Sequence, residues 1–470
     1  MRTARGVFCA IVALTGSAWP PATLRADQGA EDALVKRARA IHDRVIALDT
    51  HVDISPEVFT AERNYTQRLD TQVDLPKMTE GGLDAVFMVV YVGQPSLQTT
   101  PDAFEPSGYD RAYKAAIEKF DAIHRLTERI APDRIQLALT AADVRRIHAS
   151  GRKVALIGVE NGYPIGTDLS RVKEFYDRGA RYLSLAHNGH SQLSDSNTGE
   201  TEGWKWNGLS PLGKQVIAEL NRVGIMIDVS HPSKASMMQA VELSKAPIIA
   251  SHSAARALCN HSRNLDDEQL LALKKNGGVV QTVAFANYVK TTDTPERAAA
   301  LDALRKEFGL PAGTPLGGRG GRGGRGGRGG GAAGAAAAAG GAAAAAGGGQ
   351  ARDRQNALAQ LTPERRAELD KRVEDVNAKF PPLPRATVKD FVNHIDYIVK
   401  KIGIDHVGIS SDFDGGGGVE GWDSASETFN VTLELVRRGY TEDQIGKIWS
   451  GNLLRVMDQV AKIAAQSRTK

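Results

Sequence analysis

Four of the eleven histidines and three carboxylates share one kind of place in this 470-residue chain, the end of a short apolar run. His51 and Asp53 close Ala-Leu-Asp-Thr-His-Val-Asp, and Glu160 closes 154–160. His187 closes 182–187, His231 follows 225–230, His252 lies near the end of 247–253, and Asp412 near the end of 406–413. Imidazole nitrogens with carboxylate oxygens, and no thiolate among them, form a ligand set that suits zinc; manganese or cobalt would also fit, and calcium would not. The set is larger than one catalytic zinc needs, and a two-metal site with spare groups for proton transfer uses all of it. Asp49, His51 and Asp53 are two apart, so along a strand they share one face, with Asp49 deeper and read as a structural hydrogen-bonding group. Taken singly, each residue has a plainer reading. His-x-Asp is a weak signal, a rim glutamate is more often an ion-pair partner, and a lone histidine is more often structural. Their shared position is what gives them weight. Nucleophilic alternatives are poorer: there is no Gly-x-Ser-x-Gly elbow, and the glycine-rich tract has no Lys-Ser/Thr after it, so it is not a phosphate loop.

The runs that must position these groups are 47–54, 83–92, 154–160, 182–187, 225–230, 247–253, 278–285 and 406–413. They are short, rich in Val and Ile, and bounded by polar or turn residues, as suits parallel strands buried on both faces. Helical patterns lie between most of them, at 109–130, 142–149, 169–178, 211–223, 233–244, 266–275 and 388–402. Ser210 reads as an N-cap before Pro211, and Gly277-Gly278 as a helix stop. The first connection, 55–82, has no clear pattern. Strand and helix alternating eight times predict a (β/α)8 TIM-type barrel rather than an open doubly wound sheet, with two C-terminal helices over 426–465. Chemistry in that fold sits at the C-terminal ends of strands, where the ligand-type residues fall. The other histidines are read as structural: His42, His124 and His148 on or beside helices, His394 on the helix before the last strand, and His406 at that strand's opposite end. His190 and His261, near the site in sequence, are lesser candidates for contacting a substrate.

Longer stretches carry a family signature. They are Asp-Thr-His-Val-Asp at 49–53, Gly-Val-Glu-Asn-Gly at 158–162, Tyr-Leu-Ser-Leu-Ala-His-Asn at 182–188 and Met-Ile-Asp-Val-Ser-His at 226–231. They continue with Ala-Pro-Ile-Ile-Ala-Ser-His-Ser-Ala-Ala-Arg at 246–256, Ser-Arg-Asn-Leu at 262–265, Asp-His-Val-Gly-Ile-Ser-Ser-Asp-Phe-Asp-Gly at 405–415 and Gly-Asn-Leu-Leu-Arg-Val at 451–456. In type and order they resemble the membrane (renal) dipeptidase family of amidohydrolase-like metallopeptidases. The resemblance implies a zinc-dependent dipeptidase with two Zn2+ per chain. His51 and Asp53 would hold one ion, Glu160 would bridge, and His231 with His252 would hold the other. A hydroxide between the ions would attack the peptide bond. His187 would contact the oxygen of the scissile carbonyl, Arg263 would bind the substrate's terminal carboxylate, and Asp412 would handle protons and the substrate amine. Two departures stand out: Tyr163 replaces a histidine often found after the bridging glutamate's glycine, and a long insertion follows the seventh strand. Another binuclear-metal hydrolase, such as a lactonase, deaminase or β-lactam hydrolase, is the alternative on the same scaffold.

Composition agrees with a globular enzyme: 41% hydrophobic, 24% charged, net charge +4. Arg319, Arg322, Arg325 and Arg328 lie in one tract, so the folded part is near neutral and no nucleic-acid surface is expected. Residues 1–26 read as an export signal. Arg2 and Arg5 precede an apolar run too short to span a bilayer, and small residues follow, with cleavage after Ala18, Ala22 or Ala26. The expected location is periplasmic or secreted, with no transmembrane segment after cleavage. Cleavage would remove Cys9 and leave Cys259 without a disulfide partner. Residues 27–470 then form the barrel domain, with 289–386 as the insertion. Within it, 317–349 is nearly all Gly, Ala and Arg and is expected to be disordered, flanked by charged helices at 294–308 and 362–379. Its arginine-glycine repeats leave a polyanion-binding protein as a reading of another class, though the tract lacks aromatics. A homodimer is an open expectation.

Overall fold

Parallel strands buried on both faces need helices outside and a filled interior, and the chain supplies both. The computed structural model describes residues 22–468, except 96, 98, 99, 292, 311–313, 315, 317–357, 359 and 360. The start of the export signal and the Gly/Ala/Arg tract therefore lie outside the described residues. The strands are β1 (Leu48–Asp53), β2 (Ala85–Tyr91), β3 (Ile135–Leu137), β4 (Lys153–Glu160), β5 (Ala180–Ser184), β6 (Met226–Asp228), β7 (Ile249–Ala250), β8 (Val279–Val283) and β9 (Val407–Ser410). Eight of them run parallel in the order β1-β2-β4-β5-β6-β7-β8-β9. The ring closes where Val52 bridges Phe413, with Asp53 N donating to Phe413 O at 2.9 Å. The chain is thus a (β/α)8 barrel.

Sequence reading missed β3. It pairs only with the first residues of β4, Lys153 to Ala155, on the edge that β5 takes from Ile157 onward. Ile-Gln-Leu is too short to carry a periodic signal. The helices stand close to the expected stretches, at Pro106–Arg125, Ala141–Ala149, Ser170–Asp177, Pro211–Val223, Lys234–Leu243, Asp267–Asn276 and Val388–Ile402. Ser210 Oγ accepts from Gly213 N ahead of Pro211. Asp266 and Gln269 form a capping box, and Gly277 at φ 82° ends that helix in the left-handed conformation. The unclear first connection holds a helix at Leu75–Gly81, capped by Asp74. The C-terminal region has the two expected helices, Phe429–Arg437 and a second that runs through Glu442–Gly446, a π-helical turn at Lys447–Gly451 and Asn452–Arg468.

Val86, Met88, Val90, Ala155, Ile157 and Val159 pack outward against the helices. Leu48, Phe87, Leu156, Tyr182, Met226 and Val279 pack in a separate cluster with Leu453, Leu454, Val456 and Met457 of the last helix. Asn452 ties that helix to the entry of β9 by donating to Ile404 O and Val407 O at 2.7 and 2.8 Å. Truncating a ring such as Phe87, fully buried, would cost about 3–5 kcal/mol. The N-terminal end of the barrel is therefore structural, and the opposite end is left for chemistry. Within the insertion, helices Pro295–Glu307 and Pro363–Lys379 share a small core of their own through Leu301, Leu304, Phe308, Leu369 and Val373. No helix among the described residues is long and apolar enough to cross a membrane.

Candidate metal centre

The ligand-type residues meet at the C-terminal end of the barrel, although several lie just past the strands. Asp53 and Glu160 are the last residues of β1 and β4. His187, His231, His252 and Asp412 fall two or three residues beyond β5, β6, β7 and β9, in the loops, because those strands end sooner than their apolar runs suggest. The carboxylate of Glu160 is the hub. Its Oε1 lies 2.9 Å from His231 Nε2, 3.3 Å from His252 Nε2 and 3.8 Å from His187 Nε2. Its Oε2 lies 3.6 Å from His51 Nε2, which is itself 3.7 Å from Asp53 Oδ2. Three overlapping groups could each hold a cation: His51, Glu160 and His252; Glu160, His187 and His231; His51, Asp53 and Asp412.

Asp49, His51 and Asp53 do not simply alternate. The β1–β2 register shifts between Asp49 and Val52, and Asp49 Oδ1 accepts from His51 N and Ser411 N at 3.2 and 2.9 Å. Asp49 thus pins β1 to β9 beneath the site. Burial pushes its carboxyl up to about 6.

The groups behind the imidazoles decide which nitrogen faces the centre. His252 Nδ1 lies 2.8 Å from Ser251 Oγ, whose own proton goes to Asp228 Oδ2 at 2.6 Å. The serine oxygen therefore accepts from Nδ1. His231 Nδ1 lies 3.2 Å from Asn188 Oδ1, an acceptor. His51 Nδ1 lies 3.1 Å from the Tyr182 hydroxyl, which donates to Thr50 O at 3.1 Å. All three imidazoles thus keep hydrogen on Nδ1 and turn an Nε2 lone pair inward, the outer-shell pattern of metal-ligating histidines. The Nε2 atoms of His231 and His252 are 2.9 Å apart, and His51 Nε2 is buried without a hydrogen-bond partner among the described residues. Inward lone pairs so close to each other and to a carboxylate repel unless a cation sits among them. The donor set therefore fits bound metal, with His51, Asp53, Glu160, His231 and His252 as the atoms within reach.

Electrostatics agree. Burial, the neighbouring Arg263 and His187 hold His231 well below the usual histidine range, and burial and His51 do the same to His252, so both offer neutral nitrogen. Burial opposes charge on Glu160, but His51 and His187 keep its pKa well below the usual value. Burial also works against a charged His51, yet Glu160 raises it to about 10; a dication would replace that proton. Asp412 is pushed up to about 8, first by burial and then by Asp53 and Glu160, against the opposing charges of His51 and Arg263. Bound cations would draw that value down, leaving a carboxylate placed to accept a proton. Arg263 is 3% exposed; its Nη2 donates to His252 O at 3.2 Å and its Nε has no hydrogen-bond partner among the described residues. Its guanidinium lies 5.5 Å from the centroid of the Tyr288 ring.

Strain gathers at this rim. Asn161, His231 and Asp412 have φ of 71°, 78° and 58°, a left-handed conformation that costs non-glycine residues about 1–2 kcal/mol each. Asp412 is also braced by its own loop. Gln72 N donates to Asp414 Oδ1 at 2.8 Å, Asp414 N returns a bond to Gln72 Oε1 at 2.7 Å, and Gln72 Nε2 reaches Gly417 O and Asp423 O at 3.0 and 2.8 Å. Gly415 must lack a side chain, since a Cβ there would collide with the carboxylates of Asp53 and Asp412.

Sequence reasoning missed Gln72, Tyr91, Tyr182, Asn188, Asp228 and Ser251. Asp228 and Ser251 did carry a signal, as polar residues inside the strand motifs that end in His231 and His252. The lesser candidates have partners within the protein. His190 bonds Gly203 O at 2.9 Å and lies 3.0 Å from Asp195, holding a loop, while His261 accepts from Arg263 N at 3.1 Å. Tyr163 is 1% exposed, gives its hydroxyl proton to Ala103 O, and packs on Tyr109 and Phe104.

Comparison with known proteins agrees with this architecture. The chain is 28% identical to the dipeptidase tcpJ of Claviceps purpurea over 404 residues, 86% of this chain and 72% of that protein. Its structure is similar to that of the probable dipeptidase PvdM from Pseudomonas aeruginosa, at 32% identity and a TM-score of 0.71, covering 92% of this chain and 100% of that one. A metallopeptidase from Rhodobacter sphaeroides, liganded with a phosphinate mimic of the dipeptide L-Ala-D-Ala, shares the fold at 21% identity and a TM-score of 0.59, covering 88% of this chain and 99% of that one. Residues 35–470 match the membrane dipeptidase family, peptidase family M19. With that match and the barrel's ring of histidines and carboxylates together, the chain belongs to the membrane dipeptidase family.

Proposed function

We propose that this enzyme hydrolyses the peptide bond of dipeptides with two zinc ions, one held by His51 and Asp53, the other by His231 and His252, with Glu160 shared. The observation that carries this reading is the convergence of inward Nε2 lone pairs on the two oxygens of Glu160, His231 at 2.9 Å on one and His51 at 3.6 Å on the other. Two such cations would supply a water deprotonated near neutral pH, at a pKa of about 7, and polarise the scissile carbonyl.

The protein groups have separate tasks. Arg263 takes the substrate's terminal carboxylate through its guanidinium, whose Nε is buried and unpartnered. A fixed anchor for that carboxylate, bonded to the carbonyl of His252, restricts the enzyme to very short peptides. His187 offers its Nε2 edge to the carbonyl oxygen, where charge develops. Asp412 accepts the proton released by the attacking water and passes it to the leaving amine. The N-terminal sequence supports export, and we propose a periplasmic or secreted enzyme; N-terminal sequencing of protein recovered outside the cytoplasm tests this.

The main test is a metal count and a dipeptide hydrolysis screen on the purified protein. Expected are about two metals per chain and release of free amino acids, both abolished by a chelator and restored by zinc. Undiminished hydrolysis after verified metal removal would refute the reading. R263A separates a dipeptidase from a lactonase: it should raise KM strongly for dipeptides and hardly change hydrolysis of a neutral lactone.

A further inference from the structure

The four histidines of the centre do not share one arrangement behind the ring. For His51, His231 and His252 the outer group accepts a hydrogen from Nδ1, as derived above. His187 is the exception. Its Nδ1 lies 3.0 Å from the hydroxyl of Tyr91, the last residue of β2, and the two rings lie 4.5 Å apart at 50°.

A comparison of the two tyrosines decides the direction of this bond. The Tyr182 hydroxyl spends its proton on Thr50 O and so must accept from His51. The Tyr91 hydroxyl has no carbonyl or carboxylate within hydrogen-bond reach among the described residues, only His187. A phenol keeps its proton at neutral pH and donates it to the nearest lone pair. That lone pair is His187 Nδ1, so the ring hydrogen of a neutral His187 lies on Nε2. Tyr91 is 6% exposed, and water has little access to compete for the bond.

We propose that Tyr91 is a positioning residue that fixes His187 in the Nε2–H tautomer, which makes it a hydrogen-bond donor to the substrate's carbonyl oxygen instead of a further nitrogen ligand for the metals. This rests on the dipeptide-hydrolysing reading for its catalytic meaning but not for the tautomer itself. It also explains a division of labour among four histidines that face one cavity with the same ring edge. Three have acceptors behind them and offer lone pairs; one has a donor behind it and offers a hydrogen.

The test combines a spectroscopic and a kinetic readout on the full chain, with and without added zinc. Long-range 1H–15N spectra of histidine-labelled protein, with His187 assigned by its absence in H187A, report which ring nitrogen carries hydrogen. The wild type should show Nε2–H at His187, and Y91F should shift the population toward Nδ1–H. Losing an oxyanion donor outright costs about 10²–10³ in kcat, and Y91F, which only misplaces the hydrogen, should lower kcat by about tenfold with KM within about twofold. In an H187A background, Y91F should cost nothing more. An Nδ1–H tautomer in the wild type, or losses from Y91F and H187A that multiply, would overturn the proposal. Should the wild type fail to cleave dipeptides, the functional reading falls, and the spectra still decide the tautomer.

Discussion

Replacing Ser251 with alanine removes one oxygen and should disturb one cation only. Ser251 and Asp228 are fully buried and His252 is 1% exposed, so no water can easily replace the lost hydroxyl. The hydroxyl donates to Asp228 Oδ2 at 2.6 Å and lies 2.8 Å from His252 Nδ1. The first bond, to a carboxylate, is worth about 1.5–3 kcal/mol and the second, between neutral groups, about 1 kcal/mol. Asp228 Oδ1 keeps its bonds from Ser230 N and Ser251 N at 3.0 and 2.8 Å, so the carboxylate stays in place. The loss falls on the orientation of His252. Removing an outer partner of a ligating histidine lowers metal affinity about 10–100-fold, or about 1.4–2.8 kcal/mol at 1.4 kcal/mol per decade. Calorimetric titration of metal-stripped S251A with zinc measures it. The cation assigned to His231 and His252 should weaken by that factor, while the one assigned to His51 and Asp53 keeps its affinity. Wild-type affinity at both sites would refute the orienting role of Ser251. Equal weakening at both would show a loosened barrel instead.

Further outcomes follow from the same geometry. G415A places a methyl against the carboxylates of Asp53 and Asp412 and should lower metal content and activity with the far-ultraviolet spectrum unchanged. Q72A deletes three side-chain hydrogen bonds that brace the loop of Asp412 and should lower kcat about 10–100-fold, with two metals still bound by elemental analysis. Burial lowers the pKa of His42 and of His394, both hydrogen-bonded inside the fold, so the unfolded chain binds protons that the folded one refuses. Stability should therefore fall as pH drops below the ordinary histidine value of about 6.5, with both contributions complete above it. Calorimetric scans from pH 8 to 5.5 should show this decline, and H42Q should show a smaller one from a lower starting Tm.

Much of the barrel is legible in the sequence because strands buried on both faces leave unbroken apolar runs, and because the helices between them carry caps such as Ser210 and Asp266. The candidate ligands are legible because a fold that places chemistry at strand ends turns sequence position into spatial position. What stays hidden is whatever depends on neighbours across the ring. Tyr91 and Tyr182 look like ordinary strand residues, and only their opposite partners, an imidazole alone or an imidazole plus the Thr50 carbonyl, separate their roles. Gln72 lies in a connection without pattern and acts on a loop 342 residues away. The shift in β1 that turns Asp49 back onto Ser411 N is equally invisible, since it depends on β9.

The helix pair in the insertion has a consequence for how this gene product tolerates change. Leu301, Leu304 and Phe308 already pack against Leu369 and Val373, and Arg372 meets Glu307 at 3.0 Å, so the two ends of the intervening stretch are held side by side. Lengthening a connection whose ends are already joined adds closure entropy of only about 0.6 kcal/mol per doubling. A change in the number of residues joining this helix pair should therefore cost the barrel's stability little.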